Sequence, residues 1–226
     1  MTDSGAALVI WSVVAPAALD DFRAWHNREH LPERIAIPGI LRGRRFRALA
    51  QDNRFLALYD LHTVEVLAAP EYRAVVDRPS PWTLRILGTA LSSGARAICR
   101  RRFAHGDLQG GSIAVWHWHT APDETAITLL CAEALPAVAN HPTIGAVSLL
   151  IADAVASEAV STATNALGTI ARPYCVLTIE GTADPSALHQ ACAALSEHPG
   201  LDGATGPDAF VLEASIAKSA APGLPR

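Results

Sequence analysis

The chain has 226 residues, half of them hydrophobic and 18% charged, with a formal net charge of −4. That balance excludes a disordered chain and leaves no global electrostatic footprint for nucleic acid or an anionic membrane surface. Cys99, Cys131, Cys175 and Cys192 are widely spaced with no C-x-x-C pair, so they read as reduced and mostly buried. The N-terminus lacks a basic segment followed by a long apolar run, and no apolar stretch reaches bilayer length, so the sequence reads as a cytoplasmic protein.

In chain order, Ala7–Val14 is the first predicted strand and carries Trp11. A helix follows. At 100° per residue its apolar stripe, Leu19 and Phe22, continues through His26, Glu29, His30 and Glu33. An apolar face that turns into two imidazoles and two carboxylates is costly for a core helix, and fits a helix whose end lines a pocket. Pro32 lacks a backbone N–H, so the helix is expected to kink or restart there. That would leave His30 near a helix C-terminus, where the macrodipole favours the imidazolium while burial opposes it.

Strands are predicted over Ile40–Ala48 and Arg54–His62, with Tyr59 on the same face as Phe55, Ala57 and Leu61. Helices over Val64–Asp77 and Pro81–Ser92, the latter containing Trp82, lead to a closing strand Ala95–Phe103. The Gly-rich stretch 106–111 then separates two halves of nearly equal length. The second half opens with Ser112–His119 and repeats the plan: a helix rich in alanine and leucine, strands Ile144–Ala152 and Pro173–Glu180, a helix Pro185–Glu197 and a strand Ala209–Ala217.

The phrase Leu31-Pro32 … Pro38 has its match in Leu135-Pro136 … Pro142 at the same spacing. The pattern is β-α-β-β-α-β twice, an α+β fold of two tandem ferredoxin-like repeats. The expected organisation is a first repeat over 1–105 carrying the site, a linker over 106–111, a diverged repeat over 112–217 and a frayed tail over 218–226. Each repeat leaves one sheet face bare, so the two are expected to stack those faces into a closed or nearly closed barrel, an intramolecular pseudo-dimer.

The run W-H-N-R-E-H-L-P-E-R-I-A-I-P-G-I-L-R-G-R-R-F, followed by R-F-L-A-L-Y-D-L, A-P-E-Y-R and S-P-W-T, resembles the dimeric α+β barrel superfamily, and within it EthD-like and related members. The resemblance covers about residues 7–104; the second half matches by fold pattern only. It implies the barrel fold. It implies the reaction only as a set: cofactor-free cyclases, muconolactone isomerases, hydroxynitrile lyases, quinone-forming and haem-degrading monooxygenases, and haem peroxidases. It also leaves room for a homodimer of such chains.

His30 is the first candidate to move a proton. Glu33, or Glu29, would orient it by accepting its second N–H, unless these carboxylates pair with Arg23 or Arg34 instead. His26 is a second pocket group. Tyr59 could donate a hydrogen bond to a developing oxyanion. Trp25, Trp82 and Phe22 would supply apolar walls, and Arg34 a cation. His26-x-x-Glu29-His30 also matches the inverted zincin pattern, but Pro32 breaks the helix that such a site needs and no third ligand is placed, so no metal is assigned.

His117 and His119 share one strand face and read as solvated or core-satisfied. Arginines near residues 42–54 and 96–102 fall on both strand faces and read as a solvated edge that discourages strand-to-strand aggregation; the alternative is that one or two steer a carboxylate substrate. Aligning the Leu-Pro phrases sets Ala134 opposite His30 and Leu130 opposite His26, so one working pocket, in the first half, is expected. Three functions follow. The first is a cofactor-independent lyase, isomerase or cyclase acting on a small apolar carbonyl or aromatic substrate. The others are a monooxygenase, cofactor-free or haem-dependent, and a non-catalytic small-molecule-binding barrel.

Overall fold

Eight antiparallel strands close on themselves in the computed structural model, which describes residues 5–158 and 172–218. They are β1 (Ala6–Val14), β2 (Ile40–Ala48), β3 (Arg54–Leu61), β4 (Leu91–His105), β5 (Ser112–Trp118), β6 (Ile144–Ala152), β7 (Cys175–Gly181) and β8 (Thr205–Ala217). Around the barrel the order is β1-β3-β2-β8-β5-β7-β6-β4 and back to β1. Each half of the chain supplies four adjacent strands. The seams are β2 with β8 and β4 with β6. Closure leaves no sheet edge unpaired, which removes the usual hazard of edge-to-edge association. This is the dimeric α+β barrel expected from the repeat, built within one chain.

Strand alternation sorts the side chains into two populations. Ala7, Val9, Trp11, Phe46, Leu56 and Leu58 join Ile113, Val115, Val176 and Phe210 in one core cluster drawn from both halves, which fills the barrel interior. Leu8, Ala57 and Tyr59 belong instead to a cluster shared with Leu31, Ile35, Tyr72 and Val76, outside the barrel and under the helices. In the second half the matching layer between sheet and helices is filled by Trp116, Trp118, Leu130, Leu135 and Leu188.

The first helical layer departs from expectation. α1 (Leu19–Trp25) does not end at Pro32. It passes through a π-turn, His26–His30, straight into α2 (Leu31–Ala36). Pro32 cannot donate to a carbonyl one turn back. The chain accommodates it by widening the preceding turn, so that the Leu31 N–H donates to the His26 carbonyl, five residues away. His30 therefore sits mid-helix, and the predicted C-terminal position is corrected.

The second half repeats the device. α5 (Glu124–Leu129) passes through a π-turn at Leu130–Ala134 into α6 (Leu135–Ala139), with Pro136 placed as Pro32 is. Other boundaries also move. The stretch predicted as one helix over Val64–Asp77 is a 3-10 turn at Val64–Ala68 followed by α3 (Pro70–Val76). α4 (Pro81–Arg85), N-capped by the Ser80 hydroxyl, continues through a π-turn to Ala90, and β4 begins at Leu91 rather than Ala95. α7 (Ala154–Glu158) and α8 (Pro185–Ser196) complete the described helices. Of the expected tail, residues 219–226 lie outside the described residues. Among the described residues, no helix is long and apolar enough to cross a membrane.

Candidate active site

A cavity of about 110 Å³ lies between the first-half helices and the outer face of β1, β3 and β4. His26 and His30 descend into it from the π-turn, and Phe55, Ala57 and Tyr59 rise from β3. The π-turn turns the chain less per residue than an α-helix. It keeps His26 and His30 on one side, ring centroids 5.2 Å apart, and carries the neighbouring carboxylates round to other faces. Trp25 lies against His30 at 4.4 Å and Phe22 against His26 at 5.6 Å. Tyr59 meets His30 edge-on at 6.4 Å. Its ring has room because Gly43 is its cross-strand partner: a Cβ there would approach the Tyr59 ring to 3.0 Å and Leu31 to 2.8 Å.

Of the residues singled out in the sequence, His26, His30, Tyr59, Trp25, Phe22 and Arg34 line this cavity. Glu29, Glu33 and Trp82 do not. Glu29 accepts hydrogen bonds from the hydroxyls of Ser80 and Thr83, and Thr83 in turn accepts from the Trp25 indole at 3.0 Å. Glu29 thus reaches His30 only through the ring that flanks it. Glu33 is half-exposed and pairs with Arg34 at 3.5 Å, so the expected hydrogen bond from His30 to Glu33 is not made; burial raises its pKa and Arg34 pulls against that. Trp82 donates to Asp21 at 2.9 Å and packs against the cluster of Phe22, Trp25 and Ile86 without lining the cavity.

The cavity's electrostatics are decided by burial. His26 and His30 are both held well below the ordinary histidine range, first by burial and then by the positive charges of Arg45 and Arg34 on His26 and of Arg34 on His30; protonating His26 would lower His30 further. Both are neutral imidazoles at pH 7. Burial likewise pushes the Tyr59 phenol up, so it stays protonated. The Nδ1 atoms of His26 and His30 and the Tyr59 hydroxyl are buried without a hydrogen-bond partner. Three such atoms around one apolar cavity are an unusual expense, because an unsatisfied buried polar group costs about 1–3 kcal/mol.

Sequence reasoning missed Arg45 and Tyr72 in this wall. Arg45 is buried; it donates to Asn27 at 2.9 Å and to Glu213 of β8 at 3.2 Å. Glu213 also holds Arg23 and Arg47, so the second half anchors the cationic side of a first-half cavity. The signal was the odd-numbered position of Arg45, which places it on the Gly43 face of β2; which strand would supply the counter-charge depended on the seam pairing.

Among the described residues, no group of three or more His, Cys, Asp or Glu side chains is placed to hold a metal ion. The inverted zincin geometry is not formed, since Glu29 faces Ser80 and Thr83. A haem does not fit the cavity in this conformation either: about 110 Å³ is near the ~150 Å³ of cavities that take up a single benzene ring, and a porphyrin has four pyrroles.

The fold and cavity together define a dimeric α+β barrel with a helix-to-sheet chamber beneath the histidine-bearing π-turn of its first half. No protein-family model matches the chain, and no curated protein matches it. Among solved structures it is similar to a putative monooxygenase from Fusobacterium nucleatum (9% identity, 96% of each chain, TM-score 0.59) and one from Lactobacillus acidophilus (10% identity, 95% of this chain and 96% of that one, TM-score 0.58). It is also similar to an anthrone oxidase-like protein (10% identity, 97% of each chain, TM-score 0.56). At these identities the likeness establishes the shared fold. It does not single out the EthD-like members.

Proposed function

We propose that the cavity binds a small apolar carbonyl or aromatic compound and removes a proton from it, with His30 as the base and His26 beside it. The observation that carries this is that His26, His30 and Tyr59, whose Nδ1 atoms and hydroxyl are buried without a hydrogen-bond partner, all line one mostly apolar cavity. Tyr59 stays protonated and donates to the oxygen on which negative charge develops. Arg34 and Arg45 favour that anion. The same cations weaken the imidazole as a base and lower the pKa of a bound substrate, while burial, the larger effect on the imidazoles, disfavours charge on either partner. The protein supplies orientation, exclusion of water and the fixed charges.

The carbanion or phenolate so formed can be reprotonated, eliminate a group or cyclise, the outcomes of a cofactor-independent isomerase, lyase or cyclase. A second outcome, reaction of the anion with dioxygen, is favoured by the putative monooxygenase and anthrone oxidase-like names carried by proteins of similar fold. Both share the deprotonation. The test is hydrogen–deuterium exchange at the acidic carbon of a panel of small aryl ketones and hydroxy-aromatics in D2O, followed by NMR, with oxygen uptake recorded in parallel. Accelerated exchange that falls by about 10²–10⁴ in His30→Ala supports the reading. Binding without any exchange would make the barrel a carrier and overturn it; exchange with oxygen consumption selects the oxygenase outcome.

A further inference from the structure

We infer that the substrate carries a carboxylate, held by Arg96 at the junction between the histidine chamber and a larger outer groove. This rests on the chamber being the substrate site. A groove of about 460 Å³ runs beside it, between the 3-10 turn after β3, α3, β4 and α7. It is mostly apolar, lined by Val64, Leu67, Ala68, Ile98, Val155 and Ala156. Among the described residues, only Tyr72 and Arg96 border both spaces. The buried Tyr72 ring is backed by the Arg34 guanidinium at 5.9 Å, so one side of the junction is a fixed aromatic wall and the other is a cation.

The charge balance of the groove points to an anion at that cation. Arg100 engages both acidic residues of the groove, Glu65 and Asp153, each at 2.7 Å. Asp153 uses its other oxygen to cap Ala156, and Arg73 pairs with Asp77 at 2.9 Å. Arg96, half-buried on β4 opposite Ile10, makes no hydrogen bond or ion pair with any described residue. A planar guanidinium with free donors, partly removed from water and flanked by apolar surface, is suited to bidentate carboxylate recognition. The chamber alone takes one ring. A molecule with its reactive ring or carbonyl beside His30 and an acid at Arg96 extends past the chamber, and its remainder lies in the groove. The inferred class is therefore an elongated, amphipathic aromatic or carbonyl acid rather than a neutral volatile compound.

The test uses the full chain and a ladder of ω-phenylalkanoates with two to six methylenes, each matched by its neutral ω-phenylalkanol, with affinity read by calorimetry. The expected result is an optimum chain length at which the acid binds at least about tenfold tighter than the alcohol, a preference that weakens with salt. Arg96→Gln removes that preference and leaves alcohol binding unchanged, and Arg96→Lys restores part of it. Equal binding of acid and alcohol at every length overturns the inference, as does an acid preference that survives Arg96→Gln. Neither of those outcomes touches the proton-transfer reading, which is read separately from deuterium exchange in His30→Ala. Acid preference without exchange would keep the subsite and overturn the chemistry.

Discussion

Burial, reinforced by Arg45 and Arg34, makes it harder to protonate His26 and His30 in the folded chain than in the unfolded one. The unfolded imidazoles titrate near 6.5, so below that pH the unfolded state binds protons that the folded state refuses. The folded form keeps its full stability above 6.5. As the pH falls from 6.5 toward the depressed folded pKa, each buried imidazole withdraws about 1.4 kcal/mol per pH unit. His117, also lowered mainly by burial, adds to the same limb. Replacing one ring removes its share: His26→Phe, which keeps an aromatic ring against Phe22 and Trp25, is expected to flatten the loss between pH 6.5 and 5. Urea midpoints across that range check it, and an unchanged slope would show that His26 is not held neutral. Tyr59 gives the complementary case. Its unpartnered hydroxyl is a cost in the absence of ligand, so Tyr59→Phe should gain about 1 kcal/mol of stability while losing most of the deuterium-exchange rate. A stabilised variant with full exchange would remove the phenol from the reaction.

At the level of elements, the π-turn is the feature that makes a site out of a helix. Both halves contain Leu-Pro, and both answer it with a widened turn, at His26–His30 and at Leu130–Ala134. Only the first turn bears histidines, and the second packs with Trp116 and Trp118 in the apolar cluster of its layer. Restoring the missing N–H permits a regular helix, in which one residue of slippage swings a side chain by about 100°. Pro32→Ala is therefore expected to weaken binding of phenylalkanols about tenfold or more, and Pro136→Ala to leave it unchanged, with both folds intact by circular dichroism. Equal effects of the two substitutions would sever the link between the turn and the site.

The repeat, the strand alternation that puts Tyr59 outside the barrel, and the pairing of His26 with His30 were all legible in the sequence, because each depends on local period alone. The fates of Glu29 and Glu33 were not. A regular 3.6-residue helix keeps them beside the histidines, and a proline read simply as a helix breaker conceals the π-turn that moves them away. Arg45 and Arg96 were visible as charges, but that the first meets Glu213 and the second no described counter-charge depends on the seams and on α7, which no local pattern reports.

For the whole molecule, closure of the barrel places an ionic layer across its interior. Asp60 of β3 receives Arg42 at 2.7 Å, Arg101 at 3.0 Å and Arg44 at 3.3 Å, and Arg44 reaches across to Glu180 of β7. Arg101 also donates to Ser148 of β6. Burial by itself pushes the Asp60 carboxyl up, but Arg44, Arg42 and Arg101 outweigh it and hold it below the ordinary aspartate range. Its contribution to stability is present above about 3.8 and is lost as the pH falls through the depressed folded value.

The Arg44–Glu180 and Arg101–Ser148 bonds join first-half strands to second-half strands, where apolar contacts alone would tolerate several registers. A buried pair of this kind adds little net stability, since desolvation consumes most of the Coulombic gain, whereas removing one partner leaves an uncompensated charge. Glu180→Met is therefore expected to cost about 3–5 kcal/mol. The double variant Arg44→Met with Glu180→Met should recover most of that, measured by chemical denaturation. If the double variant is as unstable as the single one, the pair itself holds the halves together. If it recovers, as the desolvation argument requires, apolar burial closes the barrel and the charges select which strands meet. The seam that brings Glu213 to Arg45 beside the histidine chamber would then depend on that selection.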